Sequence, residues 1–69
     1  PRPPITLRAQ RLRRVLGIEV DAAVVQDTLQ RLGLQVQETA DGWQVVPPSY
    51  RFDITIEADL VEEIARTYG

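Results

Sequence analysis

The 69-residue chain has no cysteine, no histidine, no lysine and one serine. Without cysteine there is no disulfide and no thiol nucleophile, consistent with a reducing compartment. Without histidine or cysteine an ordinary zinc site cannot form, and no imidazole base is present at neutral pH. The absence of lysine removes amine catalysis. Ser49 cannot assemble a serine triad within this chain. The four glycines, at 17, 33, 42 and 69, are isolated and form no phosphate-cradling loop. No apolar run approaches the length that spans a bilayer, and no signal-peptide hydrophobic region is present. What remains is carboxylate chemistry, either hard-cation binding or acid–base work, and no self-contained enzyme is expected.

What is present is unevenly distributed. A net charge of −2 conceals five arginines and no acid in the first fourteen residues. Residues 53–63 carry five of the ten carboxylates and no base. So dense an acidic cluster repels itself unless an arginine or a cation answers it. A chain split in this way either folds its ends together or offers them to different partners. At this length one small domain is expected, burying about 60% of its unfolded surface. The start at Pro1 and the stop after a helix suggest a piece of something longer.

Three prolines in residues 1–4 predict a linker. Ile5 and Leu7 alternate with Thr6 as in a short strand. Residues 10–16 predict a helix with Leu12, Val15 and Leu16 on one face, stopped by Gly17. Asp21 is a candidate N-cap for a second helix over 22–32, with Val25, Leu29 and Leu32 in phase and Gly33 at its end. The phrases at Leu16-Gly17-Ile18 and Leu32-Gly33-Leu34 read as one capping chemistry used twice, the apolar residue after glycine packing back on the helix. Residues 34–37 and 43–45 alternate around Asp41-Gly42, a hairpin signal through tolerance of positive φ. Pro47 and Pro48 end that strand. Residues 50–56 predict a further extended run with Phe52, Ile54 and Ile56 on one face. A last helix begins near Ala58 or Asp59, with Leu60, Val61, Ile64, Ala65 and Tyr68 as its apolar stripe. The lone tryptophan, Trp43, is expected in the core. The order predicts an α+β fold that is winged-helix-like, or DNA-binding-domain-like, with three helices and a short antiparallel sheet.

Two functional readings follow. In a winged helix the second helix enters the major groove, yet here Asp21, Asp27 and Arg31 bring it no net positive charge. The arginines lie mostly on the preceding helix, which can touch a phosphate backbone but cannot specify sequence. The second reading is a hard-metal site. Asp59, Glu62 and Glu63 share a helix face, and Asp53 precedes them on the strand. Spacing alone is met equally by a solvated acidic first turn, in which Glu62 and Glu63 pair with Arg66.

The tail, Pro48-Ser49-Tyr50-Arg51-Phe52-Asp53-Ile54, then Glu57-Ala58-Asp59-Leu60-Val61-Glu62-Glu63-Ile64-Ala65-Arg66 and Tyr68-Gly69, resembles the B-five domain of the bacterial phenylalanine-tRNA ligase (phenylalanyl-tRNA synthetase) beta subunit. Arg14-Val15-Leu16-Gly17-Ile18, Leu29-Gln30-Arg31-Leu32-Gly33-Leu34 and Trp43 are similar to the same domain. The resemblance implies one domain over 5–69, cut from a larger subunit. It implies a parent ligase that joins phenylalanine to its tRNA with ATP and Mg²⁺, an α₂β₂ heterotetramer in the cytoplasm with no membrane role. Catalysis would lie on the alpha subunit and this domain would carry no catalytic residue. Asp53, Asp59, Glu62 and Glu63 match the family's Mg²⁺-binding carboxylates, at a site shared with the alpha subunit and empty or loosely held in this piece alone. The expected role is architectural, an acidic corner docking on the alpha subunit. On this reading the four acids converge and a positive charge from outside the polypeptide balances them. The alternative is a free-standing winged-helix nucleic-acid-binding module, recognisable by affinity for tRNA or duplex DNA that falls steeply with salt.

Overall fold

Gly42 sits where no side chain fits: a Cβ there would lie 2.0 Å from the Leu7 carbonyl oxygen. That close approach organises the sheet of the computed structural model, which describes residues 3–68. Strand β1 (Ile5–Arg8) and strand β2 (Gln35–Glu38) flank strand β3 (Gly42–Val46), both antiparallel to it. The register aligns Ile5, Val45 and Val36 in one row and Leu7, Trp43 and Glu38 in another. Leu7, Trp43 and Val45 are buried on the inner face, while Thr6, Gln44 and Gln37 form a polar row on the other. Gln44 donates a 2.8 Å bond to the Thr6 hydroxyl along that row. The period-2 expectation therefore holds for these strands.

Against the inner face pack three helices among the described residues: α1 (Ala9–Leu16), α2 (Ala22–Arg31) and α3 (Glu57–Tyr68). The core joins Leu12 of α1, Val25 and Leu29 of α2, and Leu60, Val61 and Ile64 of α3 with Leu34 and Ile54 from the connections. The α+β architecture with a short antiparallel sheet is as expected. Of the expected linker over 1–4, Pro1 and Arg2 lie outside the described residues, as does Gly69.

Helix α1 has no side-chain cap; the Asp41 carbonyl accepts the Ala9 N–H at 2.9 Å instead. Asp21 caps α2 as predicted, its Oδ1 accepting the Ala23 N–H at 2.8 Å. The two glycine stops share a left-handed conformation but differ in packing. After Gly33, Leu34 donates its N–H to the Leu29 carbonyl at 3.1 Å and is buried. After Gly17, Ile18 stays exposed, so the expected packing back occurs once, not twice. Val15 also faces outward, because α1 meets the core along Ala9, Leu12 and Leu16.

Two further expectations fail locally. Gly42 does not have positive φ. The hairpin turns earlier, with the Thr39 N–H on the Gly42 carbonyl at 2.8 Å and the Gly42 N–H on Thr39 Oγ1 at 3.1 Å. Residues 50–56 are not a strand. Both edges of β3 are already taken by β1 and β2, and Pro47 and Pro48 have no N–H to continue a ladder. The chain turns instead, through Arg51 N–H to Pro48 O at 3.1 Å and Ile54 N–H to Arg51 O at 3.4 Å. Only Ile54 of the expected apolar face is buried; Phe52 and Ile56 are exposed.

Candidate functional site

The turn that replaces the strand carries the chain from β3 into the acidic first turns of α3. Here each of the five carboxylates of residues 53–63 finds a partner within the chain.

Asp59 is turned back on its own helix. Its Oδ2 accepts the Thr55 N–H at 2.9 Å, the Ile56 N–H at 3.1 Å and the Thr55 hydroxyl at 3.3 Å. An acid in the first turn so placed satisfies backbone donors that the helix cannot. The Thr55 and Ile56 backbone N–H groups hold its carboxyl below the usual carboxylate range. Helix α3 starts at Glu57, one residue before the earlier of the two expected starts, Ala58 and Asp59.

Glu57 faces the other way, to β1. Its Oε2 accepts the Arg8 backbone N–H at 2.8 Å and Arg8 Nε at 3.2 Å, and its Oε1 takes Arg8 Nη2 at 2.9 Å. This bidentate clasp lowers the Glu57 carboxyl and raises the Arg8 guanidinium. Arg11 lies 4.0 Å from the same carboxylate. The arginine-rich beginning and the acidic end of the sequence thus meet at one residue.

The remaining three acids alternate with two arginines. Asp53 is 4.0 Å from Arg51 Nη1. Arg51 Nη2 is 3.5 Å from Glu63 Oε1, and Glu63 Oε2 accepts Arg66 Nη1 at 2.8 Å. Arg66 Nη2 reaches Glu62 Oε1 at 3.3 Å. The expected pairing of Glu62 and Glu63 with Arg66 is present. Glu63 is the well-enclosed member, its side chain 10% exposed, while Asp53 and Glu62 stand at 63% and 70%.

The arrangement changes one expectation. Arg51 and Arg66 of this chain bring positive charge to Asp53, Glu62 and Glu63, a source the expectation did not include. Among the described residues no group of three His, Cys, Asp or Glu side chains gathers as a metal site. Asp59 is joined to the backbone, while Asp53, Glu62 and Glu63 are joined through guanidinium groups. The donor set is all oxygen and suits a hard divalent cation in chemistry. Sequence reasoning assigned no role to Arg51 or to Glu57; an arginine two residues before the acidic run was the available signal for the first.

A concavity of about 480 Å³ adjoins this corner, where Glu63 and Arg66 face Thr28 and Arg31 of α2. Another concavity, about 630 Å³, lies between the β1–α1 junction and the turn at Thr39–Gly42, where Arg8 and Arg13 line it. No helix among the described residues is long and apolar enough to cross a membrane.

Residues 5–69 match the family model for the tRNA synthetase B5 domain. The chain is 53% identical over 68 residues to a protein of Methylococcus capsulatus named phenylalanine–tRNA ligase beta subunit, covering 99% of this chain and 9% of that protein. A protein of the same name from Dickeya dadantii is 56% identical over 68 residues, with the same coverage. One from Neisseria meningitidis serogroup B is 55% identical over 65 residues, covering 94% of this chain and 8% of that protein. The chain thus spans less than a tenth of the length of these relatives.

Proposed function

The chain belongs to the tRNA synthetase B5 domain family, and from that premise we propose that it is the non-catalytic B5 domain of a phenylalanine–tRNA ligase beta subunit, with residues 1–4 as a linker. The carrying observation is identity above 50% across 99% of the chain to beta subunits of that ligase. The parent joins phenylalanine to its tRNA with ATP in the cytoplasm, as an α₂β₂ assembly, and the reaction itself lies outside this domain. The composition supports that division, since no histidine, cysteine or lysine is present for catalysis.

In this reading the domain has a winged-helix-like form, β1–α1–α2 followed by the β2–β3 wing, used as scaffold. Its docking face is the acidic corner. Asp53, Asp59, Glu62 and Glu63 are the residues that would hold Mg²⁺ at the boundary with the alpha subunit. The ion's contribution there would be to offset carboxylate charge. Exposed Asp53 and Glu62 are the acids open to it; Glu63 and Asp59 already serve the fold. Two open carboxylates leave most of an octahedral Mg²⁺ shell to water or to oxygen ligands from a partner.

The nucleic-acid reading gains no support from α2, where Arg31 is committed to Asp27 at 3.0 Å. The test is Asp53→Asn with Glu62→Gln in the full-length beta subunit, chosen because neither change unpicks Glu63. Association with the alpha subunit in Mg²⁺ should weaken, and the difference from the unmodified complex should vanish in EDTA. Association unchanged in Mg²⁺ would refute the docking role.

A further inference from the structure

The arginines of the described residues fall into two groups. Arg8, Arg31, Arg51 and Arg66 each lie 3.5 Å or less from a carboxylate. The three on α1 are held loosely or not at all. Arg11 is 4.0 Å from Glu57, which Arg8 already clasps, and Arg13 is 3.9 Å from Glu19, whose side chain is 89% exposed. Arg14 has no ion pair among the described residues. All three are exposed, and each guanidinium carries five N–H donors.

Helix polarity accounts for only part of this concentration. The last turn of a helix favours positive charge, which suits Arg13 and Arg14. Arg11 stands in the first turn, where the dipole opposes it, and at three residues' distance it repels Arg14. In a chain of net charge −2, such a face is most stable when an anion covers it.

The surface beside these arginines is a track. Arg8, Gln10 and Arg13 line the concavity of about 630 Å³, together with Thr6 and Gln44 of the outer sheet row. Gln10 and Arg13 also border a second concavity, about 620 Å³, which Arg14 lines on the way to Gly17 and Ile18. Guanidinium, carboxamide and hydroxyl groups thus follow one another from the sheet to the end of α1, with Asp41 and Glu19 as the acids at its margin. No aromatic side chain lines either concavity. A basic, open surface without rings suits a sugar–phosphate backbone and has nothing on which to stack a base. An acidic protein surface would also match the charge. Protein interfaces are built on aromatic and large apolar anchors, however, and Ile18 is the one exposed large apolar side chain here.

We propose that the outward face of α1, Gln10 with Arg11, Arg13 and Arg14, holds the phosphate backbone of an RNA without regard to base sequence. This is not the winged-helix mode, in which α2 would enter a groove and read it. The choice of RNA, the tRNA to which the parent attaches phenylalanine, rests on the reading above; the phosphate contact rests on the arginines and the track.

The experiment uses the complete ligase, its full-length beta subunit carrying Arg11→Gln, Arg13→Gln and Arg14→Gln together, or Lys at the same three positions. Affinity for tRNA and for an unrelated RNA duplex is titrated from about 50 to about 200 mM salt. The Gln variant should bind both about 10-fold more weakly at the lower salt, and the slope of log affinity against log salt should fall by about 2. The Lys variant should keep most of both, because a phosphate contact of this kind needs the charge more than the planar fork. An unchanged salt slope in the Gln variant overturns the proposal. Weakened association with the alpha subunit while the slope stays intact would give the face to a protein, and a lowered unfolding temperature of the beta subunit with the slope intact would give it to the fold; either overturns it. Failure of the reading above looks different: the unmodified chain would not assemble into an enzyme that attaches phenylalanine to tRNA, while the RNA duplex would still register the three arginines.

Discussion

Residues 50–56 and helix α3 lie side by side in the sequence and are about equally apolar, yet they are buried in opposite senses. In α3, Leu60, Val61 and Ile64 all reach the core. In the preceding loop only Ile54 does. The helix supplies its own backbone partners and repeats every 3.6 residues, so its apolar positions fall on one side. The loop has no sheet edge to join and turns on local bonds, so alternation in its sequence no longer means alternation in space. Hydrophobicity becomes burial only where a regular backbone gives it a direction.

The comparison is tested most severely from the helix side. Leu60→Ala should cost about 2–5 kcal/mol in thermal or denaturant unfolding of the chain, and in a domain this small that approaches its whole stability. Gly42→Ala, which drives a methyl into the Leu7 carbonyl, should cost about 1–3 kcal/mol by the same measurement and loosen the β1–β3 pair first in hydrogen exchange. Removing the helix-end contact with Asp59→Ala should cost about 1 kcal/mol. At the other extreme, Phe52→Ser should leave stability within about 0.5 kcal/mol, since its side chain is largely in water already. A large loss there would end the contrast drawn between the two stretches.

Acidification gives a separate measure of what holds the helix to the sheet. Glu57 and Asp59 both have carboxyl groups lowered by folding. Their contribution is therefore fully present above the ordinary carboxylate value of about 4 and is lost as pH falls through their lower folded values. Unfolding midpoints should drop below that pH, and Glu57→Gln should flatten the drop. A profile unchanged by Glu57→Gln would mean the Arg8 clasp contributes nothing.

Much of this was visible in the residues themselves. The Asp21 cap, the left-handed glycines 17 and 33, the inward Trp43 and the Leu60–Ile64 face each follow from a local rule of short range. What was not visible came from distant parts of the chain. The need for glycine at 42 is set by Leu7, thirty-five residues away in sequence, and no turn propensity records it. The dissolution of the strand over 50–56 follows from β1 having already taken the edge of β3. At the acidic corner, spacing on α3 correctly pointed to the Arg66 pairs, but Arg51 entered only because the chain turned where a strand was expected.

The position of β1 has a consequence for synthesis. Its hydrogen-bonding partner is β3, which ends at Val46, and the core below them is closed by Ile64. While the polypeptide is leaving the ribosome, the first strand therefore has nothing to pair with until most of the domain has been made, and nothing to shelter it until the final helix emerges. Nascent chains arrested before residue 64 should stay open to protease, and those arrested with the last helix clear of the exit tunnel should resist it.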